Sequence, residues 1–132
     1  PVNASSISFL LNAFGKKMLF LGDAYPADTV AGIKALGYSE EHPLQVELVK
    51  VSHHGSKHNT SPEMLNLIRG KRFVISGQGG KGHPDKETLA RIIHLQDKPL
   101  LLFNYDILNE IFSQQEIKDF GICTDFNTEW RL

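Results

Sequence analysis

Apolar positions along the chain fall into two patterns, short continuous runs and longer stretches at helical spacing. Short runs bounded by turn-forming residues predict buried β-strands. These runs occupy residues 6–11, 18–21, 46–51, 72–75 and 100–103. Helical spacing begins after Pro26, Pro62 and Pro84, and proline in the first turn of a helix costs no hydrogen bond. The predicted order is β-β-α-β-α-β-α-β with a mixed tail, which indicates an α/β fold.

Residues with turn or capping preferences mark the ends of these elements. Residues 12–17 contain a glycine and two lysines and predict the turn of a hairpin between the first two strands. Ser61 is a suitable N-cap for the second helix, and we expect Gly70 to end that helix. The tail continues through residues 107–112 and ends in residues 125–132, which we expect to be mostly strand.

The bulk composition is that of one domain. The chain has 132 residues, of which 41% are hydrophobic, enough for a packed core. Its formal net charge of −1 gives no general attraction to nucleic acid or membranes, so phosphate binding would need a local site. The single cysteine, Cys123, excludes an internal disulfide and a cysteine-rich zinc module. No apolar run reaches the ~20 residues of a membrane span, so no membrane segment is predicted.

Candidate chemical groups follow two of the predicted strands. Asp23 follows the second strand, and His53 and His54 follow the third. Sites gather at the carboxyl ends of strands in α/β sheets, and carboxylate and imidazole groups suit Zn²⁺ or Mn²⁺. Adjacent side chains at a strand end diverge, so we expect one histidine to bind metal and the other to contact substrate or transfer a proton. Asp23 is alternatively a capping residue before the helix at Pro26.

A glycine-rich loop follows the next predicted strand, at residues 77–83. Its backbone can approach a ligand closely because glycine has no side chain. Lys81 would suit an anion, and His83 is either a substrate contact or a residue that starts the next helix. Ser56 lacks the Gly-x-Ser-x-Gly pattern of a serine nucleophile, so a serine hydrolase is not predicted. Three further histidines are expected at the surface without function: His42, His58 and His94.

Four short strings of the sequence carry a family resemblance. They are Asn-Ala-Ser-Ser at 3–6, Leu-Phe-Leu-Gly-Asp-Ala at 19–24, Lys-Val-Ser-His-His-Gly-Ser at 50–56, and Val-Ile-Ser with Gly-His-Pro at 74–76 and 82–84. The histidine string is the most specific of the four. In this order they resemble the motifs of the metallo-β-lactamase superfamily, and within it the ComEC-like phosphodiesterase branch.

The resemblance implies a metal-dependent hydrolase that acts on a phosphodiester or other phosphate ester, as a small molecule or as nucleic acid. The family fold is a four-layer αββα sandwich built from two similar halves. Residues 1–132 would be a single domain, the carboxy-terminal half of that sandwich, with a mixed β-sheet and flanking helices. The complete site would contain two divalent ions, zinc or manganese.

The resemblance also assigns roles to individual residues. Asp23 would be the carboxylate that bridges the two ions, and His54 would be the last histidine ligand. His53 would face the substrate and His83 would line the pocket, both as catalytic residues. Ser56 and Lys81 would contact the substrate.

The chain departs from the family pattern in its metal ligands. The family's His-x-His-x-Asp-His string, which supplies most ligands, does not occur in this sequence. Because Pro1 leads almost directly into an apolar strand, we expect a chain cut from a longer protein, whose amino-terminal half completes the site. Two alternatives remain open. One is a non-catalytic half-domain that needs a partner segment. The other is an α/β binding module whose glycine loop holds a phosphate ligand, with Asp23 and His54 further apart than the about 6 Å that a two-metal site allows.

Overall fold

The computed structural model describes residues 9–22, 24–51, 57–76 and 84–126. In these ranges six strands form one mixed sheet, flanked by five α-helices and a short 3-10 helix at Lys57–Asn59. The strands are β1 (Phe9–Ala13), β2 (Lys16–Phe20), β3 (Leu44–Lys50), β4 (Ile68–Ile75), β5 (Leu100–Phe103) and β6 (Cys123–Phe126). The helices are α1 (Pro26–Ala35), α2 (Pro62–Asn66), α3 (Lys86–Leu95), α4 (Leu108–Ile111) and α5 (Gln114–Phe120). The predicted α/β class, with a mixed sheet and flanking helices, is confirmed.

The strands lie side by side in the order in which they occur along the chain. β1 and β2 form the expected antiparallel hairpin, and every later neighbouring pair from β2 to β6 is parallel. Each parallel crossover therefore steps in the same direction across the sheet. Crossovers of one hand that step in one direction place their helices on the same face.

The two faces of the sheet differ in what packs on them. The larger hydrophobic cluster joins strand residues to apolar residues of α1, α2, α3 and α4. A smaller cluster on the opposite face consists of Leu48, Val74 and Leu102, with Met18 and Leu100 packed against it. All five of these residues lie in strands. Within the described ranges, the helices therefore cover one face of the sheet.

The side-chain alternation of β3 and β4 shifts at one matched position. Val46 and Val49 both belong to the larger cluster, although residues three apart on a regular strand point to opposite faces. Ile68 and Phe73 of β4 are five residues apart and also both belong to the larger cluster, although on a regular strand they too would point to opposite faces. The pairing of β3 with β4 keeps its register on both sides of this irregularity. Both strands therefore shift together, and neither slips relative to the other.

The local expectation for Gly70 was wrong. The helix that we expected it to end, α2, stops at Asn66, and Gly70 lies inside β4. A side chain at this position would have its Cβ 3.0 Å from the ring of Phe73 and 3.1 Å from Val49. The glycine is therefore needed for a close approach of side chains over the strand, and not for a helix stop.

The tail contains helices that the sequence analysis missed. Between β5 and β6 the chain forms α4 and α5, and in the described part of the tail, up to residue 126, the one strand is β6 at Cys123–Phe126. Ser113 caps α5: its hydroxyl accepts from the Glu116 N–H at 3.1 Å, and the Glu116 carboxylate accepts from the Ser113 N–H at 2.9 Å. Residues 127–132 lie outside the described ranges. A search of the described part for a helix long and apolar enough to span a bilayer found none.

Candidate functional site

None of the predicted site residues falls within the described ranges. Three segments outside these ranges contain them: residue 23, residues 52–56 and residues 77–83. The first is Asp23, the second contains His53, His54 and Ser56, and the third contains Lys81 and His83. What the structure does establish is the position of the elements on either side of each segment.

The three segments begin at neighbouring strand ends on one edge of the sheet. β2, β3 and β4 are adjacent and parallel, and Phe20, Lys50 and Val74 lie opposite one another in a single row. The ladder continues one residue further, since the Leu21 N–H donates to the Lys50 carbonyl at 3.2 Å and the Val51 N–H donates to the Val74 carbonyl at 3.0 Å. Asp23, His53 and the start of the glycine loop each follow this row by three positions in the sequence.

The chain after Asp23 is tied to the chain after the histidine pair. Asn59, which is 2% exposed, ends the 3-10 helix and donates from Nδ2 to the Ala24 carbonyl at 3.0 Å. The Ala24 N–H in turn donates to the Leu21 carbonyl at 3.0 Å. A buried side-chain bond thus joins the residue directly after Asp23 to the short helix that follows Ser56.

A second hydrogen bond ties this same region to the helix after the glycine loop. Arg91 of α3 donates from Nη1 to the Thr60 carbonyl at 2.8 Å, and its Nη2 lies 3.5 Å from the Glu87 carboxylate. Thr60 directly follows Asn59, and α3 begins shortly after His83. The chain that leaves each of the three segments is therefore bonded to its neighbour, Ala24 to Asn59 and Thr60 to Arg91.

A cavity of about 300 Å³ opens on the same edge of the sheet, at the ends of β5 and β6. The residues that line it include the buried Phe103 and Ile107 and the polar Tyr105, Asp106 and Asp125. The Asn104 N–H donates to the Ile75 carbonyl at 3.4 Å, which fixes the end of β5 beside the end of β4. The cavity therefore lies beside the end of β4, further along the same edge.

A wider cleft of about 630 Å³ lies at the opposite edge of the sheet. Acidic and basic side chains both line it, including Glu40, Arg69 and Lys98. It is remote in topology from the ends of β2, β3 and β4 that carry the candidate residues. We assign it no function.

The described ranges contain no group of three His, Cys, Asp or Glu side chains that could hold a metal ion. His42, His58 and His94 are exposed, as expected. The His94 ring packs edge-on against Phe120 at 5.5 Å between ring centroids, so it joins α3 to α5.

Two sets of residues that shape this edge were not predicted from the sequence. No sequence pattern distinguishes Asn59, because it is a polar residue in a polar segment. A pattern does mark Tyr105 and Asp106: they follow a buried strand, as Asp23 does, and functional sites gather at the carboxyl ends of such strands. Asp125 could not be found in this way, because it lies inside β6 and reaches the cavity only through strand pairing.

Comparison of the chain with known proteins gave no match: no family model matches it, and neither does a curated protein or a solved structure.

Proposed function

We propose that the chain is part of a metal-dependent hydrolase of the metallo-β-lactamase type that acts on a phosphodiester or other phosphate ester. The observation that carries the proposal is the common edge on which β2, β3 and β4 end, with a candidate segment directly after each. The Ala24–Asn59 and Thr60–Arg91 bonds support it, because they hold the chain beyond these segments together. The sequence motifs contain the chemical groups, and the strands that precede them end on the same edge of the sheet.

In this proposal Asp23 and His54 bind divalent ions, zinc or manganese, with the remaining ligands from a missing amino-terminal half. Two such ions, when bound, lower the pKa of a water and neutralise charge on the phosphate oxygens. His53 and His83 face the substrate and handle the proton that passes to the departing alcohol as the P–O bond breaks. Ser56 and Lys81 hold the phosphate oxygens by hydrogen bonding and by charge.

The second face of the sheet supports the missing half as a partner. Phe9, Phe20, Val74 and Leu102 lie in one row on this face, in which Lys50 stands between Phe20 and Val74. The rings of Phe9 and Phe20 are stacked with 4.9 Å between their centroids, and Phe9 remains 51% exposed. Apolar residues on a sheet face are stabilised when a second sheet packs over them at about 10 Å. A second β-sheet in the missing half would cover this face and produce the four-layer sandwich.

Arg72 favours the same partner. It lies in a row on that face between Leu48 and Leu100. Its buried Nη1 has no hydrogen-bond acceptor in the described part of the chain, and its nearest charge is the Glu47 carboxylate at 3.7 Å. Buried donors in native proteins almost always have an acceptor. An acceptor from another segment would satisfy the Arg72 donor. This observation also fits the second candidate function, a non-catalytic half-domain that binds a partner.

Metal-dependent phosphodiesterase activity tests the proposal in the chain that includes its natural upstream residues. We expect Asp23→Ala and His54→Ala each to abolish manganese- or zinc-stimulated hydrolysis of bis(4-nitrophenyl) phosphate and to lower the bound metal content. His58→Ala, at an exposed position in the same region, is the matched control and should keep full activity. Full activity in both site variants would remove the hydrolase assignment. Absence of bound metal and activity in the unaltered protein would favour the half-domain.

A further inference from the structure

β1 is an outermost strand of the sheet, and β2 is its neighbour in the described part of the chain. Ala13 pairs with Lys16 across a two-residue turn in which Phe14 and Gly15 both have positive φ. This is a type I′ hairpin, in which the pair that flanks the turn is hydrogen-bonded. Bonded and non-bonded pairs alternate from there along an antiparallel ladder. The turn therefore fixes which backbone groups of β1 face β2 and which face outward.

Two residues of β1 direct their backbone groups away from β2. Phe9, Leu11 and Ala13 occupy the bonded positions opposite β2, because they lie at alternate positions that begin with the turn pair. Leu10 and Asn12 lie between them, so the N–H and C=O of each point to the outer edge. Outward backbone groups of this kind are a template for pairing with another strand.

β1 lacks the devices that usually protect an edge strand. Its five residues include no charged side chain and no proline, and its pairing with β2 runs without a bulge. Its side chains Phe9 and Leu11 are 51% and 42% exposed. The outermost strand at the other end of the sheet, β6, by contrast contains Asp125. An uncharged, apolar edge strand favours pairing with a further strand.

The outward groups of β1 complement those of a second copy of β1. A two-fold axis at Leu11 sets Leu10 of one copy opposite Asn12 of the other, and each such pair exchanges two backbone hydrogen bonds. The same axis sets Leu11 opposite Leu11 and Phe9 opposite Ala13, at non-bonded positions where side chains approach closely. A large side chain thus meets a small one, and no charge opposes a like charge. These features favour a second copy of this chain as the occupant over an unrelated strand.

We propose that β1 pairs antiparallel with β1 of a second copy in this register, which joins the two sheets into one continuous sheet. The contact uses no residue of the candidate segments and goes beyond the proposed function, which it neither requires nor excludes. Because a five-residue strand buries less surface than a standard interface, we expect a weak dimer with a Kd of roughly 10 μM to 1 mM.

Sedimentation velocity of the full 132-residue chain, between about 10 μM and about 1 mM, measures the dimer. We expect the fraction of dimer to rise with concentration over this range. Leu11→Lys should weaken the dimer at least about tenfold, because two ammonium groups would lie directly opposite each other. Leu36→Lys makes the same change at an exposed position after α1 and is the matched control, with an unchanged Kd.

Asn12→Pro tests the backbone hydrogen bonds. It removes an N–H that points outward and none that bonds to β2, and proline is tolerated at such a position of an edge strand. It should weaken the dimer at least about tenfold, because the carbonyl opposite loses its donor. A dimer formed through the sheet face opposite the helices would keep its affinity in this variant, which would contradict the proposed register.

A mixture of Leu11→Lys and Leu11→Glu chains tests the two-fold arrangement, because only unlike chains then place opposite charges across the axis. We expect each variant alone to be monomeric at about 100 μM and the mixture to form a dimer. Leu11 is exposed, so its variants should stay folded, which circular dichroism checks; should Asn12→Pro unfold, the mixture decides. A monomeric unaltered chain at about 1 mM, equal weakening by Leu11→Lys and Leu36→Lys, or a mixture without dimer would each overturn the inference.

Discussion

Gln96 is the residue whose replacement we expect to destabilise the fold most clearly. It follows α3, is 6% exposed, and bonds to backbone groups of two other elements. Its Oε1 accepts from the Gly70 N–H at 3.0 Å, and its Nε2 donates to the carbonyls of Leu65 at 2.9 Å and Ile68 at 3.1 Å. β5 pairs with β4 only from Arg72 onward, so Gly70 lies before the start of β5 and its N–H bonds to the Gln96 side chain instead of to that strand.

The magnitude follows from which backbone groups lose their partner. The Ile68 carbonyl also accepts from Arg69 Nη1 at 2.8 Å and would remain bonded. The Leu65 carbonyl also accepts from the Leu67 N–H and would remain bonded too. The Gly70 N–H would lose its acceptor, the Gln96 amide. Leaving a buried polar group without a partner costs about 1–3 kcal/mol, so Gln96→Met should lower the free energy of unfolding by roughly 1–3 kcal/mol. Methionine has nearly the same volume as glutamine, so the measured loss reports the missing hydrogen bonds and not a change in packing.

Urea unfolding, followed by circular dichroism, measures this loss. For a domain of this size we also expect the melting temperature to fall by about 4–11 °C. Gln45→Met, at an exposed position of β3, is the control and should change stability by less than about 0.5 kcal/mol. A loss below about 1 kcal/mol in Gln96→Met would refute the reasoning, since the Gly70 N–H would then have found water or another acceptor.

Two further predictions concern α5 and the candidate edge. Asn59→Ala should lower the free energy of unfolding by about 1–3 kcal/mol, because the buried Ala24 carbonyl loses its donor; urea unfolding checks this against the exposed control Asn12→Ala, and an equal effect in both would contradict it. The pKa of Glu116 lies below its ordinary value of 4.5, because its carboxylate accepts hydrogen bonds from Lys86 and from the Ser113 backbone. The stabilisation that ionised Glu116 gives to the docking of α5 is therefore fully present at pH values above the ordinary pKa. It is lost as the pH falls through the lowered pKa. An NMR titration of the carboxyl group should show the pKa rising in Lys86→Met, and no change in that variant would exclude the ion pair as the cause.

The helices of the tail show how local signals can be present and still be missed. Ser113 and Glu116 have the spacing of a capping box, and Gly121 follows the last turn of α5 in the left-handed conformation at φ 62°. These are recognised start and stop signals of a helix. They were outweighed by the apolar residues on either side, which favoured strand. Because α5 is short and none of its residues is fully buried, its hydrophobic pattern is weak.

The sequence by itself determined the class of fold and the residues with chemical potential. Short apolar runs that alternate with stretches at helical spacing indicate a sheet with helices packed on it, and Asp23, His53 and His54 follow such runs directly. Only the tertiary structure decided the order of the strands, the shared shift in β3 and β4, and the face that the helices cover. It also brought Asp125 to the cavity beside Tyr105 and Asn59 to Ala24. The physical reason is that periodicity reports which side of an element is apolar, whereas contacts between residues distant in sequence depend on how the elements pair and pack.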